Sequence, residues 1–209
     1  MEKSIKKPIK KLALMAILTA IALIIFIIEA QIPLPLPIPG VKLGLANAVT
    51  LFALFFGRKA GGKAGGQAPC LEPVRGARGA RGARGAGGTV LLTVPNAFAI
   101  LICRILLGAV FTGRPIVLVY SLVGGVLGFI VQVIMRRFVT EKQIWACGAA
   151  GAIFHNIGQI LAAIIITGTP AIAAYLPLLI IAGTITGVIT GLIAQLTIDR
   201  LNLTAEPSL

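Results

Sequence analysis

The sequence predicts an all-α fold, an integral membrane bundle of six transmembrane helices with both termini cytoplasmic, and three observations predict it. Hydrophobic residues make up 57% of the 209-residue chain and charged residues 12%, giving a mean hydropathy of +1.00, far above that of a soluble domain. Six segments approach the roughly 20 apolar residues needed to cross about 30 Å of hydrocarbon. The basic residues cluster between those segments, as they do in proteins that mark their cytoplasmic side with Lys and Arg. An ordinary cytosolic enzyme and a largely disordered chain are therefore excluded. The net charge of +13 is explained by this placement, so nucleic acid is disfavoured as a partner.

The predicted spans cover residues 12–29, 42–57, 90–112, 115–135, 144–167 and 171–198. They follow a basic N-terminus at 1–11 and precede a cytoplasmic tail at 199–209. The second span is short, and a thinned bilayer or the preceding proline segment would have to accommodate it. The sixth is long and is expected to tilt, or to break near Pro177, where the ring removes a helical hydrogen bond. Sixteen of the nineteen basic residues fall at the termini and in the second and fourth connections. Lys42 and Arg114 alone fall on the opposite side, and Arg104 lies within a span, so an even number of crossings follows. The apolar run Leu12 to Ile28 is too long for a signal-peptide core, and Glu29-Ala30-Gln31 is a poor cleavage site, so the first helix is expected to remain uncleaved.

Two connections are unusual. Residues 33–40 read Pro-Leu-Pro-Leu-Pro-Ile-Pro-Gly, a pattern that blocks helix and ladder hydrogen bonding and predicts either a stiff cap over the outer mouth or a rigid turn. Residues 58–88 are Gly-rich, repeat Arg-Gly-Ala at 75–77, 78–80 and 81–83, and predict a flexible cytoplasmic loop with incidental contact to anionic lipid. Cys70, Cys103 and Cys147 form no CxxC pair and read as structural thiols.

Polar groups at membrane depth are costly, so their levels carry information. At about 1.5 Å per residue, Asn47, Arg104, Tyr120 and Gln159 lie roughly 8–12 Å below the outer surface, and His155 roughly 18 Å. Asn156 shares a helix side with His155 and Gln159 by spacing. Two readings stand. These residues line an outward-facing cavity for a small molecule, or they form interhelical hydrogen bonds that hold the bundle together. Arg104 is the exception, since a buried cation needs either Glu29 or an anionic substrate.

Small-residue ridges at Gly183, Gly187 and Gly191, at Gly124 and Gly128, and at Ala16 and Ala20 predict close helix approach. The ridge on the first span is also suited to docking a second membrane subunit. Catalysis by the chain alone is not expected. Its one aspartate, Asp199, cannot assemble paired clusters for magnesium diphosphate, and no phosphate-cradle motif is present. No metal or cofactor is expected on this chain.

The run from Ile32 through the prolines to Asn47, then Arg104-Ile-Leu-Leu-Gly108, Tyr120-Ser-Leu-Val-Gly-Gly125 and His155-Asn-Ile-Gly-Gln159, resembles the bacterial membrane family called heptaprenyl diphosphate synthase component I, or Gx transporter family. That family is similar to the substrate-binding S components of energy-coupling-factor transporters. The resemblance implies a multi-pass protein of the bacterial cytoplasmic membrane that partners a transmembrane T component and two ATPases, with ATP bound on those subunits and Ala16 and Ala20 contacting the T component. The synthase label implies the alternative, a noncatalytic partner of a prenyl synthase subunit in isoprenoid or menaquinone side-chain synthesis. A plain membrane scaffold is the third reading. The sequence departs from the family at the Arg-Gly-Ala segment.

Overall fold

The computed structural model describes residues 2–32, 42–56, 92–113 and 115–205. The proline segment at 33–40, the Gly/Arg-rich segment at 58–88 and Arg114 lie outside the described residues, and with them the cap, turn and loop expected there.

Among the described residues every regular element is helical: α1 (Glu2–Gln31), α2 (Asn47–Phe55), α3 (Val94–Thr112), α4 (Pro115–Met135), α5 (Ile144–Thr167) and α6 (Leu176–Ala205). Short 3-10 turns at Glu141–Gln143 and Pro170–Tyr175 lead into α5 and α6. Five helices are long and apolar enough to cross a bilayer, those of α1, α3, α4, α5 and α6.

The second predicted span, 42–57, differs. Its helix has 9 residues, a length of about 13.5 Å, and residues 42–46 enter it as non-helical backbone. Burial accounts for its place in the bundle. Val49, Thr50, Leu51, Ala53, Leu54 and Phe55 are all buried, and α2 packs against α1, α3, α4, α5 and α6, as a helix apolar all round must. The sixth predicted span also differs. Pro177 falls in the first turn of α6, where no intrahelical hydrogen bond is lost, and the helix runs unbroken to Ala205.

Large apolar side chains cover the surface, while ionisable and amide side chains are enclosed together with an apolar core. Glu29, Lys42, Asn47, Arg104, Gln132, His155, Asn156 and Gln159 are buried, while Ile17, Ile21, Ile24, Ile28, Ile181, Ile185, Ile189 and Ile193 are exposed. On α1 and α6 these isoleucines recur at spacings of three and four and form lipid-suited stripes. Opposite the α1 stripe, Leu18, Ala22 and Phe26 turn inward. Opposite the α6 stripe, Gly183, Gly187 and Gly191 turn toward α5. Thr184, Thr190 and Thr197 satisfy their hydroxyls on the carbonyls four residues earlier at 2.7–2.8 Å, so α6 carries hydroxyl groups whose protons are paired within the helix.

The α5–α6 and α4–α5 seams are set by glycine. A Cβ on Gly148 would come 2.5 Å from the Gly187 carbonyl oxygen and 3.0 Å from the Gly191 Cα. A Cβ on Gly158 would come 2.8 Å from the Gly124 Cα. Those neighbours are backbone and cannot rotate aside, so side chains there force the helices apart. Gly148→Leu is expected to lower stability by about 1–3 kcal/mol or more, read as a drop in the thermal midpoint of the detergent-solubilised protein. An unchanged midpoint would contradict the close α5–α6 contact.

Candidate functional site

Five elements, α1, the entry to α2, α3, α4 and α5, converge where the α1 C-terminus meets that entry. Glu29, near the end of α1, is buried, and its Oε1 accepts hydrogen bonds from the backbone N–H groups of Gly44 at 2.5 Å and Leu45 at 3.2 Å. These amides have no intrahelical partner at the start of a helix, so the carboxylate satisfies two donors at once. Gly44 is required for two reasons. Its φ is +84°, a left-handed conformation that favours glycine, and a Cβ there would lie 2.9 Å from His155 Cδ2.

Lys42 is buried beside it, 6% exposed. Its backbone N–H donates to Gln159 Oε1 at 3.2 Å, tying the entry of α2 to α5. Its ammonium donates to the Phe26 carbonyl at 3.4 Å and sits 3.1 Å from the Phe26 ring centroid, a cation–π contact. Arg104, 3% exposed on α3, donates through Nη2 to Asn47 Oδ1. Its Nε has no hydrogen-bond partner among the described residues. The two cations thus rest on neutral acceptors, while the carboxylate beside them is engaged with backbone amides.

Phe26, Glu29, Lys42, Gly44, Arg104, Ser121 and His155 line a small pocket with room for about one water-sized group, far below the roughly 300–1,000 Å³ usual for drug-sized ligands. A second pocket, also with room for about one water-sized group, lies between α2, α4, α5 and α6, lined by Asn47, Gln132, Thr186 and Thr190 among others. Gly44 borders both pockets.

The sequence-derived candidates separate within this geometry. Glu29, Arg104 and His155 line the first pocket, Asn47 touches it through Arg104, and Gln159 touches it through Lys42. Asn156 faces the other way, donating to the Leu179 carbonyl at 2.7 Å, so it joins α5 to α6. Tyr120 is buried against Ile160, Ala163 and Leu179 rather than lining the pocket. Ala16 and Ala20 lie exposed on the outer face of α1.

Lys42, Ser121 and Gln132 were not among those candidates. Lys42 counts by sequence as a residue of an outer connection, and only the folding of residues 42–46 inward buries it. Gln132 and Ser121 were readable, since both are polar residues inside an apolar span.

The sequence profile described as heptaprenyl diphosphate synthase component I matches residues 18–61 and 88–197. The chain belongs to this family. Every pocket residue lies within the two matched segments, and the interval between them, 62–87, contains the Arg-Gly-Ala repeat. No curated protein matches the chain, and no solved structure matches it.

Replacing Glu29 separates its structural from its electrostatic role. Glu29→Ala leaves the Gly44 and Leu45 amides unpartnered and is expected to cost about 1–3 kcal/mol. Glu29→Gln keeps an acceptor oxygen and should cost clearly less. Thermal or denaturant midpoints of the two variants test this, and equal losses would contradict the hydrogen-bond account.

Proposed function

We propose that this protein is the substrate-binding membrane subunit of an energy-coupling-factor-like transporter, holding a small molecule in an outward-facing cavity where α1, the entry to α2, α3, α4 and α5 meet. The observation that carries this reading is the pair of buried cations, Lys42 and Arg104, in one pocket with a single carboxylate, Glu29. Interhelical bonding alone needs no second buried cation, and a surplus charge at membrane depth is costly without an anionic occupant. Asn47 and Gln159 hold Arg104 and Lys42 in place, and His155 supplies a further polar wall.

The Lys and Arg asymmetry argues for an even number of crossings with both termini cytoplasmic, α2 and its flanking residues serving as the second crossing. In this reading the protein resides in the bacterial cytoplasmic membrane. A T component docks on the exposed Ala16–Ala20 ridge of α1, and ATP is hydrolysed by the partner ATPases. Binding closes the pocket on its ligand, and the partners drive its release on the cytoplasmic side.

The family description favours a second reading, a noncatalytic membrane component of heptaprenyl diphosphate synthesis. With one aspartate in the whole chain, such a component would hold a prenyl chain or dock a soluble synthase subunit rather than perform the transfer.

Purification of the tagged protein from native membranes in mild detergent, followed by mass spectrometry, separates the readings. A T component with paired ATPases is expected, and recovery of a prenyl synthase subunit in their place would overturn the transporter reading. Ala16→Leu with Ala20→Leu should abolish recovery of the T component while leaving the elution profile of the isolated protein unchanged. Arg104→Ala should abolish uptake of the transported molecule at unchanged expression, and unaltered uptake would remove the pocket from the mechanism.

A further inference from the structure

The charges that line the pocket narrow the chemistry of what it binds. By formal charge, Glu29 counts one negative and Lys42 and Arg104 one positive each, which with His155 counted neutral gives the pocket lining a surplus of a single positive charge. Among the described residues neither cation donates a hydrogen bond to a carboxylate. Lys42 rests on a carbonyl and a ring face, and Arg104 rests on an amide oxygen with its Nε edge open. The nearest carboxylate has its Oε1 taken up by Gly44 and Leu45.

From this balance we propose that the pocket selects a compact monoanion, the carboxylate group of an otherwise largely apolar molecule, and discriminates against phosphate esters and diphosphates. The inference rests on the substrate-binding reading given above and specifies its ligand class. One carboxylate brings the site to neutrality, the least costly state at membrane depth. A phosphate monoester carries about −1.5 to −2 at neutral pH and a diphosphate more, so either leaves a net negative charge beside Glu29. The planar guanidinium of Arg104 offers a fork matched to a carboxylate. Lys42 contributes a movable point charge on a flexible stem, able to leave the Phe26 ring for a stronger acceptor. The pocket as it stands has room for about one water-sized group, so a carboxylate enters as Lys42 leaves the Phe26 ring, and a bulkier head is disfavoured. The Phe26 ring then supplies an apolar wall for the atoms attached to the carboxylate.

Glu29 is then the residue that sets charge selectivity, although it need not touch the ligand. Its carboxylate lies beside both cations and removes one unit from the charge the pocket can accept. Glu29→Gln retains an oxygen for the Gly44 and Leu45 amides but raises the surplus to two, which shifts preference toward a dianion.

The test uses the full chain in phosphatidylcholine nanodiscs, titrated with palmitate, benzoate and geranyl diphosphate, with binding followed by calorimetry. At least one carboxylate should bind about tenfold or more tightly than the diphosphate, and Arg104→Gln should weaken that binding by about tenfold or more. Palmitate alone binding would assign a lipid-derived ligand, and benzoate binding a water-soluble one. In Glu29→Gln the ratio of carboxylate to diphosphate affinity should fall at least about threefold, with a folded elution profile as control. Tighter binding of geranyl diphosphate to the unaltered protein, lost in Arg104→Gln, would overturn the monoanion proposal while leaving a substrate site in place. Binding of none of the three probes would overturn the site itself. An unchanged ratio in Glu29→Gln would remove Glu29 from selectivity.

Discussion

The Glu29 carboxylate is the constraint on which the rest of the site depends. By accepting from the Gly44 and Leu45 amides, it pins the end of α1 to the entry of α2 and fixes the path of residues 42–46 through the interior. Non-helical backbone at membrane depth is tolerated only where its polar groups find partners. Here those partners are Glu29 and, for the Lys42 amide, Gln159. Once that path is set, Lys42 is carried inward, Asn47 meets Arg104, and the left-handed Gly44 packs against His155. Removing the carboxylate would release several of these contacts together, since they share one stretch of backbone.

The helix seams on the far side of the bundle serve the same arrangement. Glycines on α4, α5 and α6 let backbones approach closely, and His155 and Gln159 are held on the buried face of α5 by contacts with Gly124 and Gly128. Packing of small residues, rather than hydrophobic burial, is what can drive helices together in lipid. The exposed isoleucine stripes of α1 and α6 complete the division of labour, with apolar side chains turned outward and ionisable groups enclosed. Gly44 borders both polar pockets, so the segment bearing it links the two.

The helical membrane class was legible in the sequence because hydropathy and length suffice to identify a helix that must satisfy its own backbone. Of the five long helices, α4 and α5 match their predicted bounds and α3 starts four residues late. By contrast, α1 begins ten residues before its predicted start and α6 ends seven residues beyond its predicted end, because polar and basic residues continue a helix past its apolar run. The second span was less legible, because an apolar run does not reveal whether it is one helix or an extended entry followed by a short one. For the site, Glu29, Arg104 and His155 were readable as ionisable residues within apolar runs. Asn156 and Tyr120 shared that signal, yet the rotation of α5 and α4 about their axes directs them toward the α6 side. Lys42 carried no such signal, since its burial depends on a backbone path that only the Glu29 and Gln159 contacts define. Pro177 misled for a local reason: a proline breaks a helix in its interior but suits its first turn.

Hydrogen–deuterium exchange at the Gly44 and Leu45 amides tests the central claim most directly. In nanodiscs, both amides should be strongly protected in the unaltered protein and in Glu29→Gln, and should exchange rapidly in Glu29→Ala while the amides in the middle of α5 stay protected. Equal protection of Gly44 and Leu45 in Glu29→Ala would contradict the account, because the entry of α2 would then be held by something other than the carboxylate.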